Sequence, residues 1–508
     1  MTSSSVRQKR LLIALFGLLT VGFSVPTLAA NTPNDPHYNT QGSWGQAYAD
    51  QWALQQQRVY ADIAPAPAEQ RVVVAVIDTG LDYTHEDLGA NKLWRNPAET
   101  NNGRDDDGNG YVDDLIGWNY VDNNNNPWDL SGHGTHIAGL IAACTNNGIG
   151  IAGINPGAQI MPLKVANFTG QARSSSVAAA IRYAVAQGAR IINLSLAGDT
   201  ITDLEIQAAE FALERGVLII VAAGNRGIAA DQFGYAALPG VLAVGASDNN
   251  GQRAGFSNFG AHLSLLAPGV EILSLRAKDT DFIALSQPLD YASQDAVVGE
   301  GGQYYRATGT SFSAGFATGI ASAILARQPQ LSGAELRQIL IQSAADIAPP
   351  GVDQLSGYGG LDYIAALNAR PGQFVQARLD GASLSLIDTR LWVNLFGKAQ
   401  ADQFISAILQ FRPTAGSIPV VEETNKKKKR DKVVDDPYQW QTLASFDKAI
   451  NGELGQFEIN TLTQQANGST QWDLKLVVVA ADGAQREASM SLHLPVPEAD
   501  FAEVPSET

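Results

Sequence analysis

The sequence predicts an α/β protein built on a doubly wound, mostly parallel sheet, with a C-terminal β-sandwich-like domain. Between residues 71 and 370, short β-branched apolar runs alternate with helical stretches. After Pro371 the helical stretches give way to alternating runs broken by Gly and Asn. Strand–helix alternation specifies parallel strands covered by helices, whereas regularly spaced alternating strands specify packed sheets. The 508 residues allow two or more domains of roughly 150 residues each.

In chain order, residues 1–30 open on Arg7, Lys9 and Arg10, continue through the apolar Leu11–Phe23, and end on the small residues Ala29 and Ala30. That is the layout of a signal peptide, too short to remain as a membrane span, so the chain is expected to be secreted or periplasmic. Residues 31–70 are polar and read as an N-terminal extension packing on the domain that follows. "RVVVAVIDTG" (71–80), "AQIMPLKV" (158–165), "RIINLSL" (190–196) and "VLIIVAAGN" (217–225) read as strands buried on both faces. "SSSVAAAIRYAVAQG" (174–188) reads as a helix with Ser caps at its start and Gly at its end, followed by helices over 202–216 and 332–344. "SGYGGLDYIAAL" closes this region near residue 370. Over 371–495 the runs "ARLDGASLSL", "FISAILQF", "QFEINTL" and "QWDLKLVVVAADG" have strand spacing. Lys426–Arg430 lie within this part, in a loop near 425–432 that is either solvated or a processing site. Residues 496–508 form an acidic tail.

A formal net charge of −17 argues against extended contact with phosphate backbones, so nucleic acid is not an expected partner. The single cysteine, Cys144, excludes an intrachain disulfide and reads as a buried filler. No later stretch is apolar enough for a membrane span, and a monomer is expected.

Three short motifs carry candidate chemistry. Asp78 ends a buried strand and needs a partner for its carboxylate. His133 stands at a loop-to-helix junction between Gly132 and Gly134, which let another backbone approach. Ser311 leads into a helix behind Gly309 and Thr310, in a favourable field for developing negative charge. Ligands and substrates of doubly wound sheets sit beyond the carboxyl ends of the strands, which places Asp78, Ser195 and Asn225 on one rim. His133 and His136 are three apart, not the four of a zinc-protease helix, and no Glu stands beside His133.

A second constellation is "RDDDGNGYVDD". Asp105, Asp107 and Asn109 alternate, Gly110 turns, and Asp114 with the Tyr111 carbonyl can close a loop around one hard cation. Residue 116 is Ile, where an EF-hand loop has Glu. Five carboxylates within ten residues make a structural Ca2+ the expected occupant over a bare acidic turn.

"VIDTGLDYTHEDL", "SGHGTHIAG", "INLSLAG", "VAAGN", "FSNFG", "LLAPG" and "GTSFSA" occur in this order between about Asp35 and Arg370. Together they resemble the subtilisin-like serine proteases. The resemblance implies a peptidase domain over 71–370 that hydrolyses peptide bonds of proteins through an acyl-enzyme. It implies Ser311 as nucleophile, His133 as base, Asp78 as its orienter, and Asn225 with the Ser311 N–H as the oxyanion site. It implies that Ser195, Leu196, Ala197 and Gly198, facing Ala222, Ala223 and Gly224, line the cleft and pair with a peptide as an added strand. It also places Asp87 near a calcium position. The alternative is a subtilisin-fold peptide-binding protein with little catalysis. Three departures stand out. Ala197 and Gly315 replace the family's usual Gly and Pro, and residues 31–70 are too few for the usual folding prodomain. Gly315 is expected to loosen its helix by about 1 kcal/mol without touching catalysis.

Overall fold

The computed structural model describes residues 32–60, 71–196, 198, 200–229, 234–280, 293–347, 351–369, 375–415, 417, 438–465, 469–481, 483 and 485–493. The signal-peptide, basic-run and acidic-tail assignments fall outside these residues, as does Ala197.

Two short helices, α1 (Pro36–Asn39) and α2 (Trp52–Gln56), precede the sheet. The chain then forms β1 (Val72–Asp78), β2 (Trp118–Asn119), α3 (His133–Ala142), β3 (Ala158–Lys164), α4 (Ser174–Ala186), β4 (Ile191–Leu194), α5 (Asp203–Glu214), β5 (Leu218–Ala222), β6 (Leu242–Ser247) and β7 (Leu265–Pro268). These strands make one parallel seven-stranded sheet in the order β2-β3-β1-β4-β5-β6-β7. The strand order reverses at β1, which pairs with β3 on one side and β4 on the other. A crevice opens beyond the carboxyl end of such a strand because the connections leave it in opposite directions. Asp78, the last residue of β1, lies there.

The next elements are β8 (Ile272–Leu275), α6 (Ser293–Ala296), β9 (Val297–Val298), β10 (Tyr304–Ala307), α7 (Thr310–Arg327), α8 (Gly333–Gln342) and α9 (Tyr363–Asn368). Strands β8, β10 and β9 form a small antiparallel sheet. One core contains α3 and α7 on one face of the large sheet; a second, on the other face, contains α4 and α5. Capping boxes start α5 (Thr202 with Glu205) and α8 (Ser332 with Glu335), each cap contributing about 1 kcal/mol. Helix α4 has no such cap: Arg173 holds the N-cap position without a side-chain bond, and Ser174 is already helical.

Helix α7 is buried on every side, so it carries no polar stripe to orient it. Its register is set by close contacts instead. A Cβ on Gly315 would stand 3.1 Å from Ile137 Cδ1 and 3.5 Å from Leu140 Cδ1 of α3. Gly315 therefore does more than loosen its helix: it lets α7 approach α3.

From Val375 the chain forms β11 (Val375–Ile387), β12 (Arg390–Ala401), β13 (Phe404–Pro413), β14 (Gln441–Phe446), β15 (Ile450–Glu458), α10 (Ile459–Gln465), β16 (Gln471–Ala480) and β17 (Gln485–His493). Sheets β11-β12-β15 and β14-β13-β16-β17 enclose a third core around Trp472 and Phe411. The run "QFEINTL" is not one strand. It leaves β15 at Glu458 and turns helical, because Ile459 and Leu462, three apart, both point into this core. The Arg486 guanidinium donates to the Ile341 carbonyl at the end of α8, joining the two parts.

Residues 32–60 lie on the α/β part. Trp52, Leu54 and Tyr60 enter its first core, and Gln51 exchanges two bonds with the Ala152 backbone at 2.8 and 2.9 Å. Cys144 is half-buried rather than buried, and its Sγ accepts the Gly89 N–H at 3.2 Å.

Candidate active site

The carboxyl end of β1 and the amino end of α3 bring Asp78 and His133 together: Asp78 Oδ1 accepts from His133 Nδ1 at 2.8 Å and from the Thr79 N–H at 2.7 Å. Asp78 is fully buried and His133 nearly so. Burial pulls the imidazole down. The Asp78 charge, its hydrogen bond and the charge of Asp129 outweigh this and hold the ring above its usual 6.5. With Nδ1 bonded to a carboxylate, the imidazole is fixed in the tautomer that leaves Nε2 basic.

Two glycines make this meeting possible. Gly132 takes a left-handed φ of 99° just ahead of α3. A Cβ on Gly134 would stand 2.3 Å from the Gly80 carbonyl oxygen. Asp129 then ties down the loop. Its Oδ1 accepts Ser131 N–H, Gly132 N–H and the Thr79 hydroxyl; its Oδ2 accepts the N–H and hydroxyl of Thr135. Sequence reading missed Asp129. The signal was there: an Asp four residues ahead of a Gly-flanked His, the offset at which a loop carboxylate can collect helix N-terminal donors.

Ser311 is in the first turn of α7. Its hydroxyl donates to the Ser195 carbonyl at 3.1 Å, and the Ser195 hydroxyl donates to the Ser311 carbonyl at 3.1 Å. A hydroxyl has one proton, and Ser311 places it on the Ser195 carbonyl. Ser313 Oγ is buried without a hydrogen-bond partner among the described residues and lies against the Gly269 backbone. Phe312 places its ring 4.6 Å from His136 and 5.5 Å from His133, a further contact not read from sequence. His136 Nε2 lies 2.9 Å from the Tyr305 carbonyl and 3.1 Å from that of Ile272. Burial chiefly pushes His136 down to about 3, so it stays a neutral packing residue.

Asn225 lies just beyond β5. Its Oδ1 accepts the N–H and the hydroxyl of Thr310, both at 2.8 Å. The Thr310 hydroxyl also accepts the Gly224 N–H at 3.0 Å. With the carbonyl oxygen occupied, the Nδ2 donor is turned away, towards the Gly309 side of the turn, where a Cβ would stand 3.3 Å from it. Thr310 thus holds the Asn225 side chain, a contact that sequence reading passed over as part of the turn. Thr310→Val keeps the shape and the backbone bond but loses the hydroxyl. We expect kcat to fall about tenfold with KM within about twofold, read by steady-state kinetics.

The cleft residues separate into two kinds. Ala222 and Ala223 are buried. The Ala223 N–H is donated to Val244, the Ala223 carbonyl accepts Asn258 Nδ2, and the Gly224 carbonyl accepts the Asn258 N–H. Ala223 and Gly224 therefore form a wall. Their backbone groups are spent inside the fold, on Val244, Asn258 and Thr310, which leaves the backbone of Ala223 and Gly224 no free group for a peptide strand. Ser195 follows β4 on the same rim; Leu196 leans on the second core, and Gly198 approaches Gly234.

The acidic loop gathers differently from its sequence pattern. Carboxylate oxygens of Glu99, Asp105 and Asp107 lie within 4.8 Å of one another. Asn109 and Tyr111 support this loop through local bonds. Asp114 is fully buried: Asn96 and Asn109 donate to it, and so does the Tyr183 hydroxyl at 2.5 Å. Glu99 was invisible in the loop motif because it lies before it.

Asp87 belongs to a separate group. It is fully buried beside Asp35, and its oxygens accept Asn147 Nδ2 at 2.7 Å and the Ile151 N–H at 2.9 Å. Asp35 in turn accepts the N–H groups of Asn146 and Asn147. Burial, the largest cause, pushes Asp87 up to about 7 and raises Asp35 as well.

The subtilase family profile matches residues 69–359. The chain is 34% identical over 341 residues to the thermophilic serine proteinase of Bacillus sp. (strain AK1), covering 66% of this chain and 70% of that protein. It is 33% identical over 243 residues to thermitase of Thermoactinomyces vulgaris, covering 48% of this chain and 75% of thermitase. The crystal structure of a lanthipeptide protease superposes with a TM-score of 0.51 at 25% identity, covering 66% of this chain and 98% of that one. A parallel seven-stranded sheet with helices on both faces, the motifs along its carboxyl rim and these likenesses agree: the chain belongs to the subtilase family of serine endopeptidases.

Proposed function

We propose that this protein cleaves polypeptides through an acyl-enzyme on Ser311, with His133 as base and Asp78 as its orienter. The observation that carries the reading is the 2.8 Å contact between Asp78 Oδ1 and His133 Nδ1, with Phe312, the residue after Ser311 at the start of a buried helix, 5.5 Å from the His133 ring. His133 takes the Ser311 proton as Oγ attacks the scissile carbonyl, then returns it to the leaving amine. Asn225 Nδ2 and the Ser311 N–H receive the developing oxyanion. The segment 195–198 is the side on which a peptide pairs, and Ala222–Gly224 form the opposite wall. The base works only when neutral, so kcat/KM rises with pH through the His133 transition. That transition lies above the usual 6.5 because Asp78 favours the protonated ring.

Stoichiometric labelling by a fluorophosphonate tests this assignment. The labelled peptide should contain Ser311, and Ser313→Ala should label like wild type. A wild-type protein left unlabelled would favour a peptide-binding role without catalysis.

Two groups of residues suit calcium, a hard cation that takes carboxylate and carbonyl oxygens. Asp35 and Asp87, with Asn147, offer buried carboxylates whose desolvation a divalent charge would offset. Glu99, Asp105 and Asp107 offer the second. Bound calcium would supply positive charge that ties the N-terminal segment and the 99–114 loop to the core; it has no part in the chemical step. Excess EDTA is expected to lower the melting temperature by several degrees and to speed self-digestion. A melting curve unchanged by EDTA would remove calcium from both groups. The chain is also inferred to be exported through residues 1–30; sequencing the N-terminus of the mature protein checks it.

A further inference from the structure

We propose that Lys164 is a positioning residue of this active site: its ammonium anchors the Thr79 peptide and offsets the buried carboxylates of Asp78 and Asp129 that aim His133. Lys164 ends β3, and the parallel register places it directly beside Asp78, the end of β1. Its side chain is 2% exposed, and its Nζ donates to the Thr79 carbonyl at 2.6 Å. A buried ammonium is retained only where other groups compensate it.

Thr79 is the joint of the whole arrangement. Its N–H donates to Asp78 Oδ1, its hydroxyl donates to Asp129 Oδ1, and the same hydroxyl accepts the Gly134 N–H from the helix that carries His133. Its remaining backbone group, the carbonyl, is the one Lys164 holds. Thr79 thus ties β1, the Asp129 loop and α3 together, and Lys164 fixes it from β3.

Charge points the same way. Asp78 Oδ2 is buried without a hydrogen-bond partner among the described residues, and Lys164 brings a buried cation to the strand beside it. The carboxylates facing Lys164 are Asp129 from the loop before α3, Asp122 from the turn after β2, and Asp78 from β1. Burial lowers the ammonium from its usual 10.5 while these three push back. The groups facing His133 are Asp78 and Asp129, with His136 one turn further on and neutral. Asp78 and Asp129, the two carboxylates that raise His133, also face the Lys164 ammonium, and a cation beside them weakens their pull on the imidazolium.

The proposal rests on the triad assignment above. Kinetics are normalised to active sites titrated with fluorophosphonate, so unfolded protein is not counted. Lys164→Met should lower kcat about tenfold with KM unchanged. It should also move the acid limb of kcat/KM up by roughly half a pH unit, because a cation that opposed the imidazolium has gone. Lys164→Arg keeps the charge and should leave the limb in place. If Lys164→Met yields no titratable sites, Lys164→Gln is read instead, with the same displacement expected. An unmoved limb in the neutral variants, or an equal shift in Lys164→Arg, overturns the proposal. A wild-type protein that does not titrate at Ser311 overturns the triad assignment instead.

Discussion

Ser311→Ala is expected to lower kcat by roughly 10⁶-fold while leaving the melting temperature within a few degrees of wild type. The size is the loss that the equivalent change causes in subtilisin, a family relative. The physical reason is the loss of a covalent route. Ser313 does not replace it, because its Oγ is buried against Gly269 one turn into α7. Stability should hold because the Ser311 hydroxyl makes one bond, to the Ser195 carbonyl, at 3.1 Å. The reciprocal bond, from the Ser195 hydroxyl to the Ser311 carbonyl, survives the change. Residual activity of roughly 10³-fold over the uncatalysed reaction should remain, since Asn225 and the cleft are untouched. Active-site titration alongside peptide hydrolysis checks both halves. A variant that retained a tenth of wild-type kcat would rule Ser311 out as nucleophile.

Asp78→Asn is expected to cost about 10⁴ in kcat. The residue is fully buried between β3 and β4, so the amide must occupy the carboxylate's place. The Thr79 N–H points at Oδ1 at 2.7 Å and keeps an oxygen there. The amide oxygen can then still accept from His133 Nδ1, but without the charge that favours imidazolium. If the amide turns its nitrogen to the ring instead, it selects the wrong tautomer. The sign of the pH effect follows. Asp78 raises His133 in the wild type, so its loss lets burial dominate and the transition falls. The acid limb should move to lower pH even as the plateau drops. A plateau loss with the limb unmoved would mean that His133 is not the group titrating. The opposite directions expected for Asp78→Asn and Lys164→Met separate the two charges acting on one imidazole.

Much of this site could be read from short stretches. The run ending at Asp78 is continuous in apolar residues because its strand is buried on both sides, and that is a local property. The Gly residues around His133 and the turn before Ser311 are likewise local, because backbone close approach demands particular residues at particular offsets. The helices at Thr202 and Ser332 begin where their capping boxes put them. Other features depended on partners far away in the chain. Asp87 could be suspected alone, yet its companions Asp35 and Asn147 are joined by bonds spanning 112 and 60 residues. Glu99 joined the acidic loop, and Asp114 shares the Asn96 and Asn109 amides with Asp107 and accepts the Tyr183 hydroxyl besides.

The amino-acid sequence by itself determined the alternation of strands and helices, the order of the chemical motifs and the place of Ser311 at a helix start. Periodicity, caps and glycine offsets act over a few residues and so are written in consecutive letters. Tertiary structure alone decided which donors those groups meet. It made Thr79 a joint, gave Asn225 its orientation through Thr310, and spent the backbone of Ala223 and Gly224 on Val244 and Asn258. It also placed Lys164 beside Asp78, across 86 residues, because two parallel strands happen to end in register. Buried polar groups must find partners wherever the fold brings them, and sequence distance carries no information about where that is.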